Sequence, residues 1–173
     1  KLLAETSCKQ LIEDKTVPTP ARSAFLKLYA HMAGENSFPI VMKALDSPDK
    51  QYRMAAEIIL NGFSSQKSIA QVLKKATKTK NPELKAELIP VLASYNDKNC
   101  NDFILASLND KDKQVQLAAI PAAARSAKVL AAAPLADVIK TGNETLINPA
   151  KTALLTIEGR IVTDEVAKAL PQS

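Results

Sequence analysis

Two stretches of the sequence are nearly identical: Asp49–Ala56 reads DKQYRMAA, and Asp112–Ala119 reads DKQVQLAA. The second stretch begins 63 residues after the first, which is two periods of about 31 residues. Shifting by this period finds three further copies, which read PTPARSAF, NPELKAEL and NETLINPA and begin at Pro18, Asn81 and Asn143. Repeats of this length are typical of stacked supersecondary units. The sequence therefore predicts a single repeat domain of five units over residues 1–173.

Each unit is predicted to form two α-helices joined by short turns, because a period of about 31 residues accommodates two helices of about 12 residues. In the second copy, one helical face is formed by Tyr52, Ala55, Ala56, Ile59 and Phe63. The first helices of the five units are predicted at Leu2–Ile12, Phe38–Leu45, Ile69–Ala76, Phe103–Leu108 and Leu130–Ile139. A C-terminal helix, Val162–Leu170, is predicted to cap the five helix pairs.

Composition favours the same all-α fold. Apolar residues make up 46% of the chain but aromatic residues only 4%, and Trp is absent. Ala and Leu favour helices, whereas aromatic and β-branched residues favour strands. The net charge of +5 permits contact with nucleic acid or acidic proteins but is too small to indicate either.

Helix boundaries are marked by capping residues, prolines and glycines. Ser47-Pro48 and Asn81-Pro82 each predict an N-cap followed by proline at the first helical position. Asp112 and Asn143 are predicted to cap helices at the corresponding places in their copies. The four glycines are predicted to end helices in the left-handed conformation, at Gly34, Gly62, Gly142 and Gly159.

Two prolines fall inside predicted helices. Pro90 and Pro121 are 31 residues apart and so occupy equivalent positions in their units. Proline inside a helix removes a backbone hydrogen bond and bends the axis. The same kink is therefore predicted in both units.

The repeat pattern resembles that of HEAT repeats, specifically the short bacterial HEAT-like type. The matching residues in the second copy are Leu45, Asp46, Tyr52, Arg53 and Ala56. The next-best match consists of Leu108, Asn109, Val115, Gln116 and Ala119. The resemblance covers the whole chain and implies a right-handed α-α superhelix, a HEAT-like solenoid, whose second helices line a concave face. It also implies a role in holding other macromolecules.

A non-catalytic scaffold that binds a protein partner is the function we expect from this pattern, because a stable curved surface is sufficient for it. The candidate binding surface consists of second-helix residues predicted to point away from the first helices, namely Arg22, Arg53, Glu57, Lys85 and Gln116. A role as an accessory domain of a larger enzyme, exported or not, stays open as an alternative. The chain begins at Lys1 with no leader, which fits either a removed leader or a piece of a longer protein, so the compartment is left open between cytoplasm and periplasm.

Binding of duplex DNA is the main alternative, since the resemblance extends to HEAT-like alkylpurine DNA glycosylases, which grip DNA on a basic face. A candidate basic patch consists of Lys74, Lys75, Lys78 and Lys80. Arg22, Arg53 and Lys85 recur at equivalent positions and predict a basic row, but the row stops at Gln116. Without Trp, no stacking platform for an exposed base is evident. A solvated lysine face is the favoured interpretation of the patch.

The sequence offers no residue set for catalysis, a metal or a cofactor. His31 is the one histidine, which disfavours zinc sites and His-based triads. The glycines are too scattered for a phosphate-binding loop. Cys8 and Cys100 are 92 residues apart and are expected to be buried thiols rather than a disulfide framework. The sequence contains no apolar run of about 18 residues, so no membrane span is predicted.

Overall fold

In the computed structural model, residues 2–141 and 143–157 are described. The α-helices of this part are α1 Leu2–Glu13, α2 Thr19–Ala33, α3 Phe38–Ala44, α4 Lys50–Leu60, α5 Gln66–Lys78, α6 Pro82–Ser94, α7 Lys98–Ser107, α8 Lys113–Ser126, α9 Ala132–Lys140 and α10 Glu144–Leu155. Short 3-10 helices precede α3 (η1, Gly34–Ser37) and α9 (η2, Lys128–Ala131). The predicted all-α fold is confirmed, with five successive helix pairs over the described residues. The predicted capping helix Val162–Leu170 lies outside them.

Four of the second helices begin with the same capping interaction. A side-chain oxygen of Asp49, Asn81, Asp112 or Asn143 accepts a hydrogen bond from the backbone N–H two residues later, at 2.9, 3.0, 2.8 and 3.3 Å. Such bonds satisfy amide groups that the first turn leaves without helical partners. The caps predicted at Asn81, Asp112 and Asn143 are confirmed. The starts of these helices therefore recur with the period of the repeat.

The cap predicted at Ser47-Pro48 is wrong. Helix α4 begins two residues later, because the Asp49 carboxylate accepts from the backbone N–H groups of Gln51 and Tyr52. The Ser47 hydroxyl instead accepts from the N–H of Asp49 at 3.2 Å. Two helical donors are satisfied by one carboxylate at this position, which the Ser47 hydroxyl is too far upstream to reach.

Residue contacts divide the chain within α5 into two compact units, residues 1–72 and 73–173. In the first unit, α2 packs against α1 and α4, and α4 also packs against α3. In the second unit, α8 packs against α6, α7 and α10, and α9 packs against α10. Within each unit, second helices thus pack against one another. The single domain over residues 1–173 stays a prediction.

Small side chains fill much of the second unit's core. In α8, Ala119 and Ala123 are fully buried, and Ala122 is nearly so. Alanines lose no side-chain entropy on folding and let helix axes approach closely. The core face predicted for α4 is confirmed for Tyr52, Ala55 and Ala56, whereas Ile59 is only half-buried and α4 ends before Phe63. Phe63 is buried beyond the helix, with its ring edge-on to Phe38 at 5.0 Å between centroids.

The prolines and glycines have different outcomes. Pro90 and Pro121 lie inside continuous helices as predicted, and α10 contains a third internal proline, Pro149. Gly34 follows α2 with φ +55°, as a glycine end predicts, but its ψ of −133° is not that of the predicted left-handed helical cap. The left-handed cap predicted at Gly62 is wrong, because α4 ends through Asn61 in the right-handed helical region. Gly142 and Gly159 lie outside the described residues.

The positive backbone angles that sequence patterns missed follow α6 and α8. Asn96 and Lys128 both have φ +50°. Asn adopts this conformation readily, whereas the side chain of Lys is crowded there.

No helix among the described residues is long and apolar enough to cross a membrane.

Candidate functional site

The predicted surface residues Arg22, Arg53, Lys85 and Gln116 occupy the fourth position of their helices. The backbone N–H of each donates to the carbonyl of the residue that precedes the helix: Pro18, Asp49, Asn81 and Asp112, respectively. The four side chains are therefore equivalent by repeat position. Their surroundings nevertheless differ, and three of them are engaged within the fold.

Arg22 is engaged at the end of its own helix pair. Its Nε donates to the carbonyl oxygen of Ile12 at 3.1 Å, and its guanidinium carbon lies 4.4 Å from the centre of the Tyr52 ring. Tyr52 is buried, and burial raises the pKa of its hydroxyl. The Arg22 cation therefore joins the C-terminal end of α1 to the start of α4 through a cation–π contact.

Arg53 does not lie on the surface, so that part of the prediction is wrong. Its side chain is buried, with 5% of the residue exposed. Its Nη1 donates to the carbonyl oxygens of Ser47 and Pro48 at 3.0 and 3.1 Å. A buried guanidinium requires such acceptors, because leaving it without them costs its full desolvation energy. Arg53 thus anchors the turn between α3 and α4.

Lys85 is not a free surface cation, because it forms an ion pair with Asp110. Its Nζ lies 2.5 Å from Asp110 Oδ2 and 5.7 Å from the centre of the Phe103 ring. Partial burial raises the pKa of the Asp110 carboxyl, but hydrogen bonds from Lys85 and from the N–H of Asp112 outweigh it, so this pKa lies below its ordinary value. The pair joins the start of α6 to the turn before α8.

Asp110→Asn is expected to lower the free energy of unfolding by about 1 kcal/mol at neutral pH. The lowered pKa means that the stabilisation is fully present above the unfolded-state pKa and is lost as the pH falls through the folded-state pKa. The difference between wild type and variant in urea unfolding should therefore begin to shrink below about pH 4 and vanish only below the folded-state pKa of Asp110. The control is Asp102→Asn, which removes an exposed pair with Lys98 at 2.6 Å and should change stability little. A difference for Asp110→Asn that does not vary with pH would contradict this account.

The two remaining surface predictions are partly accessible. Glu57 on α4 and Gln116 on α8 are each half-buried. A binding role for them stays a prediction.

The lysines of the predicted basic patch cluster around the end of α5. Lys75 and Lys78 lie in the last turn of the helix, Lys74 just before it and Lys80 just after it. Lys74, Lys78 and Lys80 are exposed, and Lys75 is half-buried. Cations at a helix C-terminus interact favourably with the helix dipole, which accounts for the cluster without a ligand. Binding of nucleic acid by these residues stays a prediction.

Exposed apolar side chains occupy the fifth and ninth positions of two second helices. In the first unit these are Met54 and Ile58 on α4, which are 47% and 60% exposed. In the second unit they are Leu117 on α8, which is 40% exposed, and Pro121, which is also exposed. Sequence reasoning chose the fourth position, one residue and about 100° of rotation away. Apolar residues spaced by four outside the core face were the signal that could have found them.

In the second unit, Leu117 and Pro121 line an open groove of about 1080 Å³ between α8 and α10. Val129 of η2, Thr152 of α10 and Thr156 just after α10 also line it, and Ile120, Ala124 and Ala153 are among its buried residues. The two alanines in this lining leave space that larger side chains would fill. We call this feature the α8–α10 groove.

The groove carries positive but no negative side chains among the described residues that line it. Its cations are Arg125 and Lys128, and its other polar side chains are the neutral Asn148, Thr152 and Thr156. Arg125 Nη2 donates to the carbonyl oxygen of Pro90 at 3.0 Å, which holds the guanidinium in place. In addition, Pro121 has no N–H, so the Leu117 carbonyl lacks its usual helical donor.

Reactive and metal-binding side chains are sparse in the described residues. No group of three or more His, Cys, Asp or Glu side chains within them could hold a metal ion. His31 is exposed in the last turn of α2. Cys8 and Cys100 are free and buried, and burial is the main cause that raises the pKa of the Cys100 thiol to about 12. A thiol with this pKa is overwhelmingly protonated at neutral pH, as expected of a packing residue.

Comparison with known proteins identifies the repeat. A family model for HEAT repeats matches residues 69–155, which is half of the 173 residues and includes α6, α8, α10 and the groove lining except Thr156 and Ile157. Among the curated proteins, none matches the chain. The match covers helices that share the capping pattern and the equivalent fourth positions described above. The chain therefore belongs to the HEAT repeat family.

Proposed function

We propose that the chain is a non-catalytic protein-binding scaffold whose binding surface is the α8–α10 groove. HEAT repeats commonly mediate protein interactions. The observation that carries the proposal is the exposure of apolar side chains at the groove, with Leu117 40% and Val129 38% exposed. Exposed apolar surface with a polar rim is typical of interaction sites.

The dimensions and lining of the groove suit a segment of a protein. Its volume of about 1080 Å³ is just above the usual range for small-molecule pockets, and its open shape leaves room for several side chains. An apolar surface flanked by a few fixed polar groups supports specific binding of a peptide segment.

The engagement of the predicted basic row favours this function over DNA binding by that row. Arg53 is buried against turn carbonyls, and Lys85 is paired with Asp110. Arg22 is held by Ile12 and Tyr52. DNA binding depends on several cations that are free to neutralise phosphates. A row of three engaged cations does not supply them.

We expect Leu117→Glu to reduce capture of a specific partner from an extract of the source organism by at least about tenfold, because a carboxylate would enter the apolar wall. The control is Leu130→Glu in η2, which changes a leucine that is 72% exposed and does not line the groove. Bound proteins are identified by mass spectrometry after nuclease treatment, in parallel for wild type and both variants.

A partner lost with Leu117→Glu but retained with Leu130→Glu supports the proposal. Partners retained by both variants, or capture that nuclease abolishes, would overturn it, the second result in favour of nucleic-acid binding. If the chain instead serves as an accessory domain, wild type captures no separate protein, which also overturns the proposal.

A further inference from the structure

We infer that the α8–α10 groove binds an amphipathic segment of a partner protein that carries carboxylates beside its apolar side chains. The inference rests on the proposed function and deepens it, because it names the chemistry of the partner. It is carried by two independent observations: the one-sided charge of the lining and the backbone conformation of Lys128.

The charge of the lining favours a carboxylate. Arg125 and Lys128 are both exposed, and no Asp or Glu is among the described lining residues. Arg125 is oriented by its hydrogen bond to the Pro90 carbonyl, so its guanidinium is already placed before a ligand arrives. A bound carboxylate would meet two cations with no competing anion in the lining, and charge complementarity of this kind sets partner choice.

Lys128 is held in a conformation that its residue type disfavours. It follows α8 with φ +50°, as Asn96 follows α6 with φ +50° and Gly34 follows α2 with φ +55°. Gly and Asn tolerate positive φ, whereas Lys does so with strain. Residues kept in strained conformations occur preferentially at functional sites. The two equivalent turns therefore have Gly34 and Asn96, which suit a positive φ, whereas the turn that lines the groove has the cationic Lys128.

The apolar side of the segment has a matching surface. Leu117, Pro121 and Val129 are exposed along the groove, and Ile120 and Ile157 are buried beside them. Apolar side chains spaced by three and four residues would contact this wall, while a polar face carrying Asp or Glu reaches Arg125 and Lys128. Such a segment uses the helix-in-groove mode of peptide recognition.

The test is a random peptide display library selected on the full chain and counter-selected on the Leu117→Glu variant. We expect the recovered peptides to share helically spaced apolar residues with Asp or Glu beside them, and few Lys or Arg. Recovered peptides that lack this acidic preference, or none recovered at all, would overturn the inference. The proposed function is tested separately by partner capture. If the groove binds a neutral or basic segment, the inference fails and the proposed function stands.

The affinities of wild type and variants for a recovered peptide then identify the cations that bind its carboxylates. Arg125→Gln and Lys128→Gln should each weaken binding by about 2- to 5-fold, and raised salt should weaken binding to wild type. The control is Lys140→Gln, which changes an exposed lysine in the last turn of α9, 3.0 Å from Asp137 and outside the groove. Because all three cations lie at or just beyond a helix C-terminus, the control also matches the effect on the helix dipole. Equal affinities for all variants would overturn the inference.

The chain itself contains one competing acidic and apolar stretch, which reads IVTDEVAKAL from Ile161 to Leu170. Asp164→Asn with Glu165→Gln, made in the full chain, should leave the affinity for the recovered peptide unchanged if a partner is the occupant. A clear rise in affinity would overturn the inference in favour of an intramolecular occupant.

Discussion

Arg53→Met is expected to lower the free energy of unfolding by about 2–4 kcal/mol. Met retains much of the length and apolar volume of the side chain but removes every donor. The carbonyls of Ser47 and Pro48, which accept from the buried Arg53 at 3.0 and 3.1 Å, then lose a charged partner. Hydrogen bonds to charged groups contribute more than neutral ones, and two of them hold this turn.

The repeat supplies a control at the equivalent position. Gln116 is the fourth residue of α8, as Arg53 is of α4, but it is only half-buried. Gln116→Met should therefore change stability by less than about 0.5 kcal/mol. Urea unfolding followed by circular dichroism measures both variants. Similar losses for the two would show that the position within the helix, rather than the turn carbonyls, determines the effect.

The second large effect is expected at the seventh position of the second helices in the second unit. This position holds Leu88 in α6 and Ala119 in α8, and both are fully buried. Leu88→Ala removes buried methyl groups and leaves a cavity, so it should cost about 2–5 kcal/mol. Ala119→Leu must fit extra atoms into a packed site and should cost about 1–3 kcal/mol.

These opposite substitutions test whether each buried site is packed closely around the side chain that it holds. Thermal unfolding of both variants is compared with that of Ala106→Leu, which adds the same atoms at an exposed position of α7. The control should be close to wild type. If Ala119→Leu unfolds like Ala106→Leu, the close packing of α8 in the second unit is contradicted.

The periodic features of this chain were predictable because they arise locally. Asn81, Asp112 and Asn143 cap their helices through atoms two residues away, and that interaction needs no knowledge of the rest of the fold. The same reasoning failed at Ser47, because Asp49 nearby makes the better cap. Competition between adjacent capping residues depends on backbone geometry that the sequence pattern does not contain.

The surface was harder to predict than the core. Helical spacing separates buried from exposed faces, but the fourth and fifth residues lie near the boundary between them, and the choice of the fourth gave the buried Arg53 rather than exposed Met54. The α8–α10 groove depends on how closely two helices approach above Ala124 and Ala153. That distance is a tertiary property. The conformation of Lys128 was likewise invisible, since Lys is not a residue that predicts positive φ.

The most direct test of the central claim places a photo-crosslinking amino acid at position 117 of the full chain, with position 130 as the control. Both side chains are exposed, but position 117 lines the groove and position 130 does not. After irradiation in an extract of the source organism, we predict a discrete crosslinked protein from position 117 and none from position 130. Crosslinks from position 130 alone, or from neither position, would contradict the assignment of the α8–α10 groove as the protein-binding surface.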